Sequence, residues 1–427
     1  GRCTCGGRRR GFCPADEGNP QGAAGIAGRV QPPDGNHLKE SGGDGGMKWE
    51  IAKLGKIAII RTGKLDSNAA VIGGRYPFFT CDPNTLSIDV WAYDTEAVLL
   101  AGNNASGNYT AKYYKGKFNA YQRTYIIESA NEEELNIRYL CYALNQQLRL
   151  LKTISSGSTT KFLTVRMLDN LDIPLLGINI QTQIVNILSA YDDLIENNQK
   201  QIKLLEEAAQ RLYKEWFVDL RFPGHENTKI VDGVPEGWSK SMVSEVSAVL
   251  RRGISPKYNE KARGIVINQK CIRQTIVSYD EARTQEKKYP AELEMMESDI
   301  VICSTGAGTL GRVGQIFEAK GNVTLDSHVT LIRANEKIGQ QSLFWSLKMK
   351  QDYLMNAGKG STNQLELSRE TIGSCEILIP ERKIAEQVEK NFVAIHNKMK
   401  ECSMQIARLR EVRDLLLPKL MSGEVEV

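Results

Sequence analysis

With 427 residues the chain has room for two to four domains, each large enough to bury a core of its own. Its 41% apolar and 25% charged residues are ordinary for a globular protein, and a formal charge of +4 neither demands nor excludes a nucleic acid, because a charged patch can hide inside a balanced total. No run approaches the roughly 18 to 20 apolar residues that a membrane-spanning helix needs, so no membrane role is expected.

Residues 1–46 differ from the rest. They hold 13 of the 37 glycines and four prolines, with almost no Leu, Ile, Val or Phe. Such a stretch cannot bury enough apolar area to offset its ordering entropy, and it is expected to be a disordered extension. Cys3, Cys5, Cys13 and His37 have the spacing of no known zinc finger. The other six cysteines form no CxxC pair and mostly lie in apolar runs, as buried reduced thiols of a cytoplasmic protein do.

Residues 47–176 read as a first α+β globule. Short β-branched and aromatic runs at 56–61 and 121–128 alternate with glycine-rich turns, and a helical pattern occupies 132–147. A long helix follows, within 177–221. Its heptad seam runs Ile184, Leu188, Tyr191, Ile195, Asn198, Ile202, Leu205, Ala209, Leu212, Trp216. Residues 222–380 form a second globule, with strand patterns at 264–268 and 323–333 and a helical one at 340–356. The last segment, 381–427, is again helical.

Displaced by 204 residues, its seam is Val388, Phe392, Ile395, Met399, Cys402, Ile406, Leu409, Arg413, Leu416, Leu420. Only Arg413 breaks it, and Val412 is expected to cover the gap. Periodicity alone favours an oligomerisation coiled coil or a bundle core. Because a whole globule separates the two helices, the simplest pairing is antiparallel within one chain, with pseudo-two-fold symmetry. Each seam is about 50 Å long. Asn198 is expected to set register. Leu194, Leu204, Tyr213 and Phe217 lie off the seam, on a face available to a partner.

The globules repeat too. Gly157-Ser158-Thr159 corresponds to Gly360-Ser361-Thr362, the run 97–102 to 299–304, and Trp49, Leu54 and Gly63 to Trp238, Val243 and Gly253. The changing offset implies an insertion of about a dozen residues in the second copy. The fold class is therefore α+β, two duplicated globules joined by two long antiparallel coiled-coil helices.

No phosphate loop, HExxH or GxSxG occurs, and the four histidines have no ligand spacing. The run Gly306 to Gly311 has the form GxGxxG, but another alternating strand follows it, so it reads as a tight turn exposing backbone to a ligand, with Thr309 and Arg312 as contacts, rather than as a dinucleotide site. His328, inside a strand-like run, reads as a structural residue. Two sets of polar residues suit nucleic acid. The Gly-Ser-Thr loops pair Ser158 and Thr159 with Lys161, and Ser361 and Thr362 with Lys359, a pattern that fits phosphate oxygens or, equally, a plain polar turn. Interleaved aromatic and basic residues are Lys112, Tyr113, Lys117, Gln122 and Arg123 in the first copy. In the second they are Arg251, Arg252, Lys257, Tyr258, Gln269, Lys270 and Arg273. Such side chains read base edges, although bare charge clusters are more often solvated faces. Their matching places in a duplicated chain favour DNA.

The chain resembles the specificity subunit of type I restriction-modification systems over residues 47–427. The resemblance is carried by Ala208-Ala-Gln-Arg-Leu-Tyr-Lys-Glu-Trp-Phe-Val-Asp-Leu-Arg-Phe-Pro-Gly224, by Val231-Asp-Gly-Val-Pro-Glu-Gly-Trp238, and by the two Gly-Ser-Thr loops that lead into Gln183-Ile184 and Gln387-Val388. It departs at 175–179, where family members commonly carry a proline before the helix. The resemblance implies a non-catalytic subunit: each globule a target-recognition domain on one half of a bipartite site in double-stranded DNA, and the helices a ruler. The implied partners are two methyltransferase subunits and restriction/translocase subunits, which would carry S-adenosylmethionine, ATP and Mg. The alternative is a coiled-coil interaction scaffold that touches no DNA.

Overall fold

The computed structural model describes residues 50–104, 109–155, 161–306, 308–358 and 365–426. The chain divides into two units, Gly1–Lys48 and Trp49–Val427. The expected disordered extension, with Cys3, Cys5, Cys13 and His37, lies outside the described residues, and every described element belongs to the second unit.

In the first globule a six-stranded sheet runs in the order Ala58–Thr62, Thr124–Ser129, Tyr93–Ala101, Ala111–Ala120, Tyr76–Phe79, Leu86–Ile88. Side chains alternate across it. Val98, Leu100 and Ile127 pack against Tyr139, Leu140 and Leu144 of the helix Ile137–Gln146, while Leu99, Phe118 and Ile126 close a smaller core on the other face. That helix starts five residues later than its periodicity suggests, because the Asn136 side chain caps it by accepting from the amides of Arg138 and Tyr139.

The second globule repeats the register but splits the sheet. Ile60, Ile127 and Val98 lie side by side in the first copy, as Leu250, Ile332 and Ile300 do in the second. In the first copy the ten-residue strand Ala111–Ala120 pairs antiparallel with Tyr93–Ala101 and then, at its far end, parallel with Tyr76–Phe79. In the second copy Val313–Gln315 and Val323–Leu325 share those tasks, and the chain between them turns through Asn322 at φ 61°. The result is a four-stranded and a three-stranded sheet. One glycine in each copy is required by a close approach. A Cβ on Gly63 would sit 2.1 Å from the Ala120 carbonyl oxygen, and one on Gly253 would sit 2.3 Å from that of Asp326.

The first long helix is Ile178–Tyr213 and the second is Arg382–Ser422. They run antiparallel: the Cys402 thiol meets Gln201, and Arg413 meets Asp192. Ile184, Leu188, Ile195, Asn198 and Trp216 are buried, as are Val388, Phe392, Met399, Cys402 and Ile406. Tyr191, Ile202, Leu205, Leu212, Ile395, Leu409 and Leu416 are half-buried. Val412 does not cover the seam gap, being 41% exposed. Arg413 itself fills the position, its stem packed and its guanidinium 2.8 Å from Asp192, which also accepts from the Tyr142 hydroxyl.

Tyr213 and Phe217 are also not outward-facing. Tyr213 follows buried Ala209 by four residues on the same helical face, and the helix then widens into a π turn over Lys214–Val218 that brings Phe217 inward. Tyr213 then stacks on Phe217 at 4.7 Å, and Phe217 and Phe222 close on Trp238. The family-like segments at 208–224 and 231–238 are thus one aromatic joint between helix and second globule. Leu194 and Leu204 are exposed, at 51% and 63%.

The helix pair belongs to both cores. Ile184, Leu188, Leu420 and Met421 pack in the first, and Ala209, Tyr213, Ile384 and Val388 in the second. Ile184 and Ala209 are 25 residues apart, about 38 Å along a helix. Five of the six described cysteines are buried, and burial pushes the Cys141 thiol up to about 12. Among the described residues no helix is long and apolar enough to cross a membrane.

Candidate nucleic-acid interface

Each globule presents the same exposed turn, built by the same backbone bonds. In the first copy Tyr121 N–H donates to Phe79 C=O, Thr124 N–H to Tyr121 C=O, Gly102 N–H to Arg123 C=O, and Leu163 N–H to Gly102 C=O. In the second, Asp326 N–H donates to Ile267, Val329 N–H to Asp326, Ser304 N–H to His328, and Leu367 N–H to Ser304. Arg123 and His328 therefore occupy one place in a duplicated fold, both exposed. Beside each, a short bridge ties the strand end to the segment after the Gly-Ser-Thr loop: Asn103–Asn104 with Lys161–Phe162, and Thr305 with Glu366.

His328 is consequently not a strand residue. It ends a tight turn in which the Asp326 carboxylate accepts from the His328 amide at 2.9 Å, and the following strand begins at Val329. Sequence periodicity missed the turn because the strands that flank it, Val323–Leu325 and Val329–Ala334, are apolar and rich in β-branched residues, so the pattern reads as one strand. The signal that finds it is the matching position of Arg123.

Around His328 lies an open cleft of about 760 Å³, lined by Tyr258, Asn268, Gln269, Lys270, Arg283 and Thr305 among others. The Arg283 guanidinium lies 3.5 Å from the centre of the Tyr258 ring. Gln269 donates its amide to the Thr305 hydroxyl at 2.6 Å, and that oxygen is 2.7 Å from His328 Nδ1. Asp280, Glu281 and Glu366 also line the cleft, so it suits a ligand with donors and acceptors better than a bare phosphate.

The basic clusters read from the sequence are not brought together as two patches. Tyr113 and Lys112 sit on opposite faces of one strand. Tyr113 donates to Glu96 and lies under Arg138, and burial, then Glu96, raises its pKa. Lys112 is turned toward Asp82 and Thr85, and burial lowers its pKa. Arg251 pairs with Glu292, Arg252 with Glu366, Lys257 with Glu286, and Arg273 with Glu281 at 3.8 Å. Their charge is compensated within the chain. Lys117 lies over the Trp91 ring. Arg123, Lys161, Lys270 and Arg312 carry no side-chain hydrogen bond or ion pair with the described residues. Gln122 is exposed. Thr309 caps its own turn by donating to the Thr305 carbonyl at 3.0 Å. Ser158, Thr159, Lys359, Ser361 and Thr362 lie outside the described residues. The run Gly306 to Gly311 opens no helix. It turns directly into the strand Val313–Gln315, with Gly311 pressed against the backbone of Met355. No group of acidic, His or Cys side chains among the described residues could hold a metal ion.

Residues 47–207 match the family model described as type I restriction modification DNA specificity domain. Among curated proteins, the chain is similar to the type I restriction enzyme EcoDI specificity subunit of Escherichia coli, 26% identical and covering 89% of each chain. It is also similar to the MjaIX specificity subunit of Methanocaldococcus jannaschii, 28% identical over 68% of each. Among solved structures it superimposes on a type I restriction-modification S subunit from M. genitalium with a TM-score of 0.56, at 16% identity, covering 88% of this chain and 97% of that one.

Proposed function

We propose that the chain is a specificity subunit of a type I restriction-modification system and that it reads one asymmetric bipartite DNA sequence, half with each globule. The observation that carries this reading is the duplicated turn, with Arg123 in one copy and His328 in the other, in two globules whose cores meet the same helix pair about 38 Å apart. One turn of B-DNA spans about 34 to 36 Å, comparable to the separation of the two core contacts along the helix, so the helix pair suits a support that holds two readers on one duplex. Arg123, Lys161, Lys270 and Arg312, unpaired among the described residues, then supply DNA contacts together with the Gly-Ser-Thr loops.

In this reading the chain gives an address and its partners perform the chemistry. Two methyltransferase subunits dock on the helices, where Leu194 and Leu204 are exposed, and bring S-adenosylmethionine. Restriction/translocase subunits bring ATP and Mg. The test is nuclease protection of duplex DNA by the chain assembled with a methyltransferase. Two protected blocks separated by a spacer of fixed length but free sequence are expected, weakening steeply as salt rises. A complex that assembles yet shows no salt-dependent DNA binding would instead be an interaction scaffold.

A further inference from the structure

We propose that Arg123 and His328 are counterpart base-reading residues, each addressing one base pair of its own half-site, so that one exchange at one place in a duplicated fold makes the two half-sites differ. The inference rests on the DNA-reading function above and goes further in naming which residues read.

Three observations support it. First, the backbone of the two turns is held by the same four hydrogen bonds, so the two side chains leave the fold at equivalent points. Second, both side chains are uncommitted where it matters. The Arg123 guanidinium has no hydrogen bond or ion pair with the described residues, in contrast to Arg251, Arg252, Lys257 and Arg273, and His328 Nε2 likewise has no such partner. Third, the second copy contains a device that fixes the imidazole. The Thr305 hydroxyl accepts from Gln269 Nε2, which leaves its own proton for His328 Nδ1 at 2.7 Å. A neutral ring so held presents Nε2–H outward as a single donor. Gln269 and Thr305 are then positioning residues. In the first copy the place of Gln269 is taken by Cys81, whose thiol bonds the Arg123 carbonyl and leaves the guanidinium free to fork.

The chemistry of the two ends differs accordingly. A guanidinium offers two parallel donors, which match O6 and N7 of guanine in the major groove, whereas one imidazole N–H matches a single purine acceptor. The acidic side chains in the cleft of the second copy disfavour phosphate and favour base amino groups around that contact.

The experiment uses the full chain assembled with its methyltransferase, comparing wild type, Arg123→His and His328→Arg on a panel of duplexes that differ from the wild-type site by single base pairs. Each variant is expected to lose or exchange discrimination, by roughly five- to a hundredfold, at one base pair in one half-site. Arg123→His would alter one half and His328→Arg the other, with the spacer and the remaining positions unchanged. Unaltered preferences in both variants would overturn the proposal. So would a uniform loss of methylation over all duplexes, which marks a structural role. Failure of the wild-type complex to methylate any bipartite site is a different result, and it would undo the underlying functional reading instead.

Discussion

At the scale of residues, His396 shows how a polar side chain buried between a long helix and a globule ties stability to pH. It is buried, its Nδ1–H donates to Gln315 at 3.0 Å, and its ring packs 4.3 Å from that of Phe317. Burial pushes the imidazole down to about 4; Glu297 pulls it up, and Lys400 adds to the fall. A depressed folded pKa means the unfolded chain binds the proton more readily, so stability is level above about pH 6.5 and falls as pH drops toward 4, by up to about 3 kcal/mol. Urea denaturation between pH 7.5 and 4.5 should show that loss in the wild type and a smaller one in His396→Gln; equal slopes would contradict the assignment. Individual side chains were the least legible level of the sequence. Arg251, Arg252 and Lys257 look like a basic DNA-binding patch in one dimension, yet Glu292, Glu366 and Glu286 arrive from 29 to 114 positions away to neutralise them. Long-range pairing of this kind leaves no local trace. Arg123 stood out as a cation, while His328 was hidden by its β-branched neighbours.

Elements were more legible, because periodicity is local. Both long helices and the strand runs read from the sequence fall within a few residues of where the 3.6 and 2.0 repeats put them, while strands such as Ala111–Ala120, read as an aromatic and basic cluster, were missed. The exceptions have tertiary causes. Tyr213 shares a helical face with buried Ala209, four residues earlier, and Phe217 left the outward face because a π turn brings the helix end onto Trp238. The pattern at 340–356 breaks at Lys350, where Gln351 turns away to accept from Val313 N–H. The aromatic joint made by Tyr213, Phe217, Phe222 and Trp238 sets how the second globule meets the helix. Trp238→Ala removes its centre and is expected to cost about 3 to 5 kcal/mol. Chemical denaturation would check this, and a loss below about 1 kcal/mol would mean that the joint is carried by other contacts.

At the scale of the molecule, the proposed function makes helix length a distance between two readers. Residues 200 and 404 face each other across the antiparallel pair, since Gln201 meets Cys402. Inserting four residues after each lengthens both helices by about 6 Å and rotates them by about 40°. That translation equals about 1.8 base pairs of rise, and the rotation is close to the twist of one base pair. The decisive measurement is therefore the spacer length in the methylated sequences of a cell carrying the doubly extended chain with its methyltransferase. The account predicts both half-sites unchanged and the spacer longer by one or two base pairs. An assembled, active complex that keeps the original spacer would contradict it.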